Sequence, residues 1–194
     1  MKLYMIRHGQ STANLKRELS TPSTPLTEAG MQDARRAGKI LSGYRFDRVF
    51  VSPYLRARET QAIALPGVDG KIMPLIREFD CGRIEGEKYA DVLDQYGDAF
   101  REILEVDDFR SFGGENYEDV RERVRAFMAF AESLNCEKIA AFSHAGYILT
   151  FFDEVMHRDG KPGRNIRCDN GSVNVFECIE GEWKVSAFNV TETL

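Results

Sequence analysis

Short apolar runs alternate with longer amphipathic stretches along this chain, and that alternation limits the fold more than any other feature. Lys2–Ile6, "DRVFVSP" at 47–53 and "KIAAFSH" at 138–144 are too short for helices and read as buried strands. Between them, Thr27 offers an N-cap with Glu28 in the first turn, and Met31, Ala34 and Leu41 follow at helical spacing up to Gly43. "YLRARETQAIAL" reads as a helix ended by Pro66-Gly67. From about Glu118 to Asn135 a helix is marked by Val120, Val124, Phe127, Ala131 and Leu134, and "GYILTFFDEVM" is a further apolar helix. "KIMPLIREFD" reads as an edge or irregular strand, because Pro74 cannot donate to a ladder. "SVNVFECI" and "WKVSAFNV" alternate and pair as a hairpin across "EGE". The polar stretch "GQSTANLKRELSTPSTP" reads as loop, and the helical "YADVLDQYGDAFREIL" is broken by Gly97.

Strands that alternate with helices predict a three-layer α/β/α sandwich with a mostly parallel central sheet. A length of 194 residues suits one domain spanning 1–194. Residues of about 82–113 would form a small lid or insertion. No stretch approaches the roughly 20 apolar residues that span a bilayer, so no membrane partner is expected. Only four apolar residues separate Lys2 from Arg7, so a secretory leader is not expected either. Cys81, Cys136, Cys168 and Cys178 are scattered with no C-x-x-C pair, which argues against a zinc ribbon or a disulfide scaffold and for free thiols in the cytoplasm. The net charge of −5, with no basic tract, argues against nucleic acid as a partner. An anion would need a local pocket that works against the overall field.

Two core strands end in histidine, "YMIRHG" and "AAFSHAG". Ligands of such sheets sit beyond the carboxyl ends of the strands, so His8 and His144 are expected to share a site. Alone, either could be an ordinary strand-end residue; together, and beside Arg7, they point to function. A guanidinium at the end of a buried strand calls for an anion, and its planar donors match phosphate or carboxylate. Gly9 and Gly146 would let backbone come close to a ligand. Arg56 and Arg58 open a helix after a strand, and positions two apart do not share a face, so one of them faces the site. A carboxyl group beside such cations could act as general acid and base; Glu78, Asp80 and Glu85 compete for that role.

"RHGQSTAN" resembles the opening signature of the histidine phosphatase superfamily, the clan of cofactor-dependent phosphoglycerate mutase and its phosphatase relatives. "TPLTEAG", "VSPYLRARET", "LIREFDCGRIEG", "GGENYEDVRERV", "AAFSHAG" and "DNGSVNVFE" are similar to further motifs of that family, in family order over nearly the whole chain. The resemblance implies a phosphoglycerate mutase-like fold and a phosphohistidine mechanism. His8 would accept the phosphoryl group. Arg7, Arg56, His144 and Asn14 would surround the phosphate, with Arg56 preferred to Arg58 because it precedes Ala57 and because Thr60 follows at the motif's spacing. Glu78 would be the proton donor. Neither metal nor cofactor is implied, and the partner would be a small-molecule phosphate ester.

Departures from the family pattern fall at Gln10, at Ser23-Thr24 and at Asn116; none removes a catalytic role that the resemblance implies, and substrate preference would be set there. His157 matches no motif and reads as a surface residue. Mutases of the family carry a longer insertion between the acid and the Gly-Gly motif, so the short segment here favours a phosphomonoesterase over a mutase. A non-catalytic phosphate-binding module is disfavoured because every catalytic position is filled. A metal-dependent hydrolase built on His8, His144 and His157 is disfavoured because a guanidinium repels a divalent cation. Arg83, Lys88 and Arg110 are the expected lid contacts to substrate. "SVNVFECI" suits either a paired strand or a dimer strand, which leaves a homodimer open.

Overall fold

A computed structural model of the chain describes residues 1–158 and 165–192. Its strands are β1 (Lys2–Arg7), β2 (Arg48–Val51), β3 (Lys71–Ile72), β4 (Lys138–Ser143), β5 (Val173–Ile179) and β6 (Glu182–Val190). They form one sheet in the order β3-β2-β4-β1-β5-β6. β1, β2, β3 and β4 pair in parallel; β5 runs antiparallel between β1 and β6. β5 is therefore an inner strand with both sides paired, and the edge strands of the sheet are β3 and β6.

The period-two alternation of the strands builds two cores. Leu3, Met5, Ile139 and Ala141 face one side, against Val124 and Phe127 of α6 (Tyr117–Ser133) and Tyr147 and Phe151 of α7 (Ala145–Val155). Tyr4, Ile6, Ala140 and Phe142 face the other, against Ala37 and Leu41 of α2 (Glu28–Leu41) and Ala57 and Ala64 of α3 (Leu55–Ala64). Helices on both faces of a mostly parallel sheet make the expected sandwich. No helix among the described residues is long and apolar enough to cross a membrane.

The stretch read as loop after β1 holds a short helix, α1 (Thr12–Lys16). The signal is a capping box: the Ser11 side chain accepts from Asn14 N–H while the Asn14 side chain accepts from Ser11 N–H. A polar segment five residues long carries no periodicity, so only its caps betray it. "KIMPLIREFD" keeps only two strand residues before Pro74 opens a single 3₁₀ turn. Beyond it, α4 (Tyr89–Tyr96) and α5 (Asp98–Val106) are split at Gly97, which holds φ +56°.

Gly9 does not lie open toward a ligand, as its sequence context suggests. A Cβ there would sit 2.1 Å from the carbonyl oxygen of Gly30, and a Cβ on Gly30 would sit 2.0 Å from that of Gln10. The turn after β1 and the first turn of α2 thus touch backbone to backbone. Gly30→Ala is expected to destabilise the fold by about 1–3 kcal/mol, as for other overpacked sites. Gly43→Ala, with no atom within 4 Å of the new Cβ, should change little. Urea unfolding of the two variants compares them directly.

Candidate active site

Arg7 and Ser143 are register partners on the adjacent parallel strands β1 and β4, so His8 and His144 leave the sheet side by side. Their ring centroids are 5.2 Å apart. His8 Nδ1 lies 2.7 Å from the carbonyl oxygen of Gly9. A carbonyl only accepts, so Nδ1 carries the proton and Nε2 keeps a lone pair. Into that lone pair Arg56 Nε donates at 3.2 Å. Burial, then the Arg56 and Arg7 charges, holds the His8 pKa well below the ordinary 6.5. Burial and Arg56 do the same to His144. His144 Nε2 is 2.7 Å from Ser52 Oγ at the end of β2, and its Nδ1 is buried with no hydrogen-bond partner among the described residues.

Arg56 is 1% exposed, in the first turn of α3. Its Nη1 donates to the carbonyl of Thr21 at 2.9 Å. Thr60, one turn on, donates to the Arg56 carbonyl at 2.7 Å and accepts from Gly9 N–H at 3.1 Å, which locks the helix to the β1 turn. Arg58 points to solvent, so the two arginines divide as their spacing requires. Arg7 donates to the carbonyl of Cys168, and its buried Nε has no partner among the described residues. Asn14 accepts from Ser11 N–H at 3.0 Å through its side-chain oxygen, leaving its amide NH₂ as a donor.

Three N–H groups hold the Glu78 carboxylate: Phe79 at 3.1 Å, Gly146 at 3.2 Å and Tyr147 at 3.2 Å. The last two open α7, whose N-terminal dipole favours an anion. Gly146 is the permissive residue, for a Cβ there would meet Glu78 Oε1 at 2.6 Å. The glycine admits the carboxylate of Glu78 rather than a ligand. Asp80 and Glu85 accept instead from Gly82 N–H and Cys81 N–H within their own loop. A cavity of about 700 Å³ opens over this arrangement, and Arg7, His8, Asn14, Arg56 and Glu78 all line it. His144 is fully buried beside it. Among the described residues no three His, Cys, Asp or Glu side chains are grouped to hold a metal ion.

A family model described as the histidine phosphatase superfamily (branch 1) matches residues 3–191. The chain belongs to that superfamily. It is 25% identical over 186 residues to an adenosylcobalamin/alpha-ribazole phosphatase of Salmonella typhimurium, covering 93% of this chain and 92% of the relative. It is 30% identical over 162 residues to a 2,3-bisphosphoglycerate-dependent phosphoglycerate mutase of Rhizobium etli, covering 75% and 76%. The alpha-ribazole phosphatase of Shigella flexneri shares the fold with a TM-score of 0.85 at 24% identity, over 99% of this chain and 98% of that one.

The outer wall of this superfamily member's cavity differs from the lid contacts expected. Arg83 lies over the Phe112 ring, 4.9 Å from its centroid, and Arg110 pairs with Asp108 on the surface. Neither they nor Lys88 line the cavity. The wall is made instead by Arg17, Glu18, Tyr89, Leu104, Asp107 and Phe109, none of which sequence motifs single out. Asn170 was also missed: its amide donates to the His8 carbonyl at 3.1 Å and to Asn14 Oδ1 at 3.4 Å. It lies in "DNGSVNVFE", where its type and place beside a glycine turn were the available signal. His157, just beyond α7, is exposed and away from the cavity.

The depressed histidines have a sign. Unfolded, both titrate near 6.5; folded, they stay neutral to lower pH. Below about pH 6.5 the unfolded chain therefore binds more protons, and stability falls as pH falls, by up to about 1.4 kcal/mol per pH unit for each histidine. Urea unfolding at pH 7.5 and 5.5 should show that loss, and His144→Gln should make the dependence shallower.

Proposed function

We propose that this protein is a phosphoric monoester hydrolase that works without a metal, through a phosphohistidine on His8, on a small phosphorylated metabolite. One observation carries the reading: at the cavity floor a neutral histidine turns its Nε2 lone pair to Arg56, and among the described residues neither Arg7 nor Arg56 has a hydrogen bond to a carboxylate. As the phosphoryl group enters, Arg56 Nε shifts its hydrogen bond from Nε2 to a phosphoryl oxygen, and the freed Nε2 attacks phosphorus in line with the ester oxygen. The Nε2–P bond forms as the P–O bond breaks, and the transferring oxygens carry the negative charge. Arg7, Arg56 and Asn14 donate to them, and His144 Nδ1 is the further donor once the phosphate dianion favours its protonation. Glu78 is the group that hands a proton to the leaving oxygen and then takes one from the water that cleaves the phosphohistidine.

Hydrolysis is favoured over mutase action by the wall of the cavity. Tyr89, Leu104 and Phe109 give that wall a face suited to an alcohol with a flat or apolar side. The alpha-ribazole phosphatase relative supports a leaving group of that kind. In this reading the chain is one domain, and residues of about 82–113 are its lid. The 30% identity to a mutase keeps phosphoryl-transferring isomerisation as the second reading.

Phosphate release from an aryl phosphate in excess chelator tests the proposal. The native protein should turn over, His8→Ala should not, and Arg56→Ala should lose about 100- to 1000-fold in kcat, as expected for removing one charge-stabilising donor. Interconversion of 2- and 3-phosphoglycerate faster than phosphate release would replace hydrolase by mutase.

A further inference from the structure

Glu78 sits on backbone that has no ladder of its own. Pro74–Ile76 form a single 3₁₀ turn, and residues 77–81 have no regular structure. Three N–H groups hold the carboxyl end of Glu78, but the peptide that carries it would stay loose unless something else held it. Arg123, on α6, takes that part. A guanidinium has five N–H donors, and five contacts engage them here. Its Nη1 donates to the carbonyls of Leu75 at 2.7 Å and Arg77 at 3.1 Å. Its Nη2 reaches the Glu78 carbonyl at 3.5 Å and Glu115 Oε2 at 3.0 Å, and its Nε donates to Glu115 Oε1 at 3.0 Å.

Glu115 is equally saturated. Besides Arg123, its carboxylate accepts from Arg77 Nη2 at 2.5 Å and from Asp80 N–H at 3.1 Å. Its own backbone N–H donates to the Asp80 carbonyl at 2.8 Å. The pair thus grips the chain at residues 75, 77, 78 and 80, on both sides of Glu78. The Arg123 guanidinium also lies 5.6 Å from the ring centroid of Tyr147, whose N–H holds the Glu78 carboxylate. Neither Arg123 nor Glu115 lines the cavity.

We propose that Arg123 and Glu115 are positioning residues for proton transfer, fixing the peptide around Glu78 so that its carboxyl group meets the leaving oxygen. The inference rests on Glu78 being the proton donor. As the Nε2–P bond forms and the P–O bond breaks, the proton passes from the Glu78 carboxyl group to the departing oxygen. A phenolate is a strong base and needs that proton; a nitrophenolate is a stable anion and leaves without it. Loosening Glu78 should therefore harm one substrate and spare the other, although the two have nearly the same shape.

The experiment compares phenyl phosphate with 4-nitrophenyl phosphate for the native protein, Glu78→Gln, Glu115→Gln and Arg123→Lys, with circular dichroism to confirm folding. Glu115→Gln is expected to lower kcat on phenyl phosphate about 10- to 100-fold with KM unchanged, as for a catalytic group displaced by about 1 Å. Turnover of the nitrophenyl ester should stay near native. Arg123→Lys keeps the charge but loses the fork, should show the same selectivity, and decides the matter if Glu115→Gln does not fold. Equal losses on both esters, or no loss where Glu78→Gln remains selective, would overturn the proposal. If Glu78→Gln itself shows no selectivity, the proton-donor reading falls, and this inference with it.

Discussion

A buried guanidinium with neutral acceptors is the constraint on which the site depends. Arg56 is almost wholly removed from water, yet its hydrogen bonds go to an imidazole nitrogen and a backbone carbonyl. Burying a cation without a matched anion is costly, and the fold meets that cost with its two hydrophobic cores. The consequences spread outward. Burial, with the Arg56 charge beside it, holds the pKa values of His8 and His144 well below the ordinary imidazole value, so both rings stay neutral. The Arg56 charge also makes an incoming dianion the missing partner. A surface arginine would be screened and would do neither.

The sheet turns this electrostatic arrangement into geometry. Parallel pairing sets β1 beside β4 and β4 beside β2, so Arg7, His8, Ser52 and His144 emerge from one edge without any long-range design. Helix starts then bring in what strands cannot. α3 delivers Arg56, and α7 delivers two N–H groups to Glu78. Close backbone contact through Gly9 and Gly30 holds the first loop down on α2.

What could be read from the sequence follows from how each residue is placed. The strand-end histidines were legible because burial on both faces gives an apolar run that stops abruptly. The split between Arg56 and Arg58 was legible because helical spacing alone requires it. The choice of Glu78 over Asp80 and Glu85 was not available from spacing, since all three lie on irregular chain; the family motif supplied it. α1 was hidden because its five residues show caps but no stripe. Arg17, Tyr89, Asp107 and Asn170 were hidden because loops and tertiary packing bring them to the cavity, and no local pattern records where a loop will end. Glycines were legible as close approaches, but the partner of the approach was not: for Gly9 it is another helix, and for Gly146 a carboxylate.

The register between β1 and β4 divides the labour of the site. Neighbouring strands in any sheet stand about 4.8 Å apart, so the gap between the two imidazoles is an inheritance of backbone hydrogen bonding. Nothing in that register sets the shape of the outer cavity. That shape comes from the segment after α1, from α4 and α5 and from the loop to Phe109, which contribute no strand to the sheet. The two halves can therefore change independently. Substitutions in the outer wall can reshape the cavity mouth while the strand-end histidines keep their spacing.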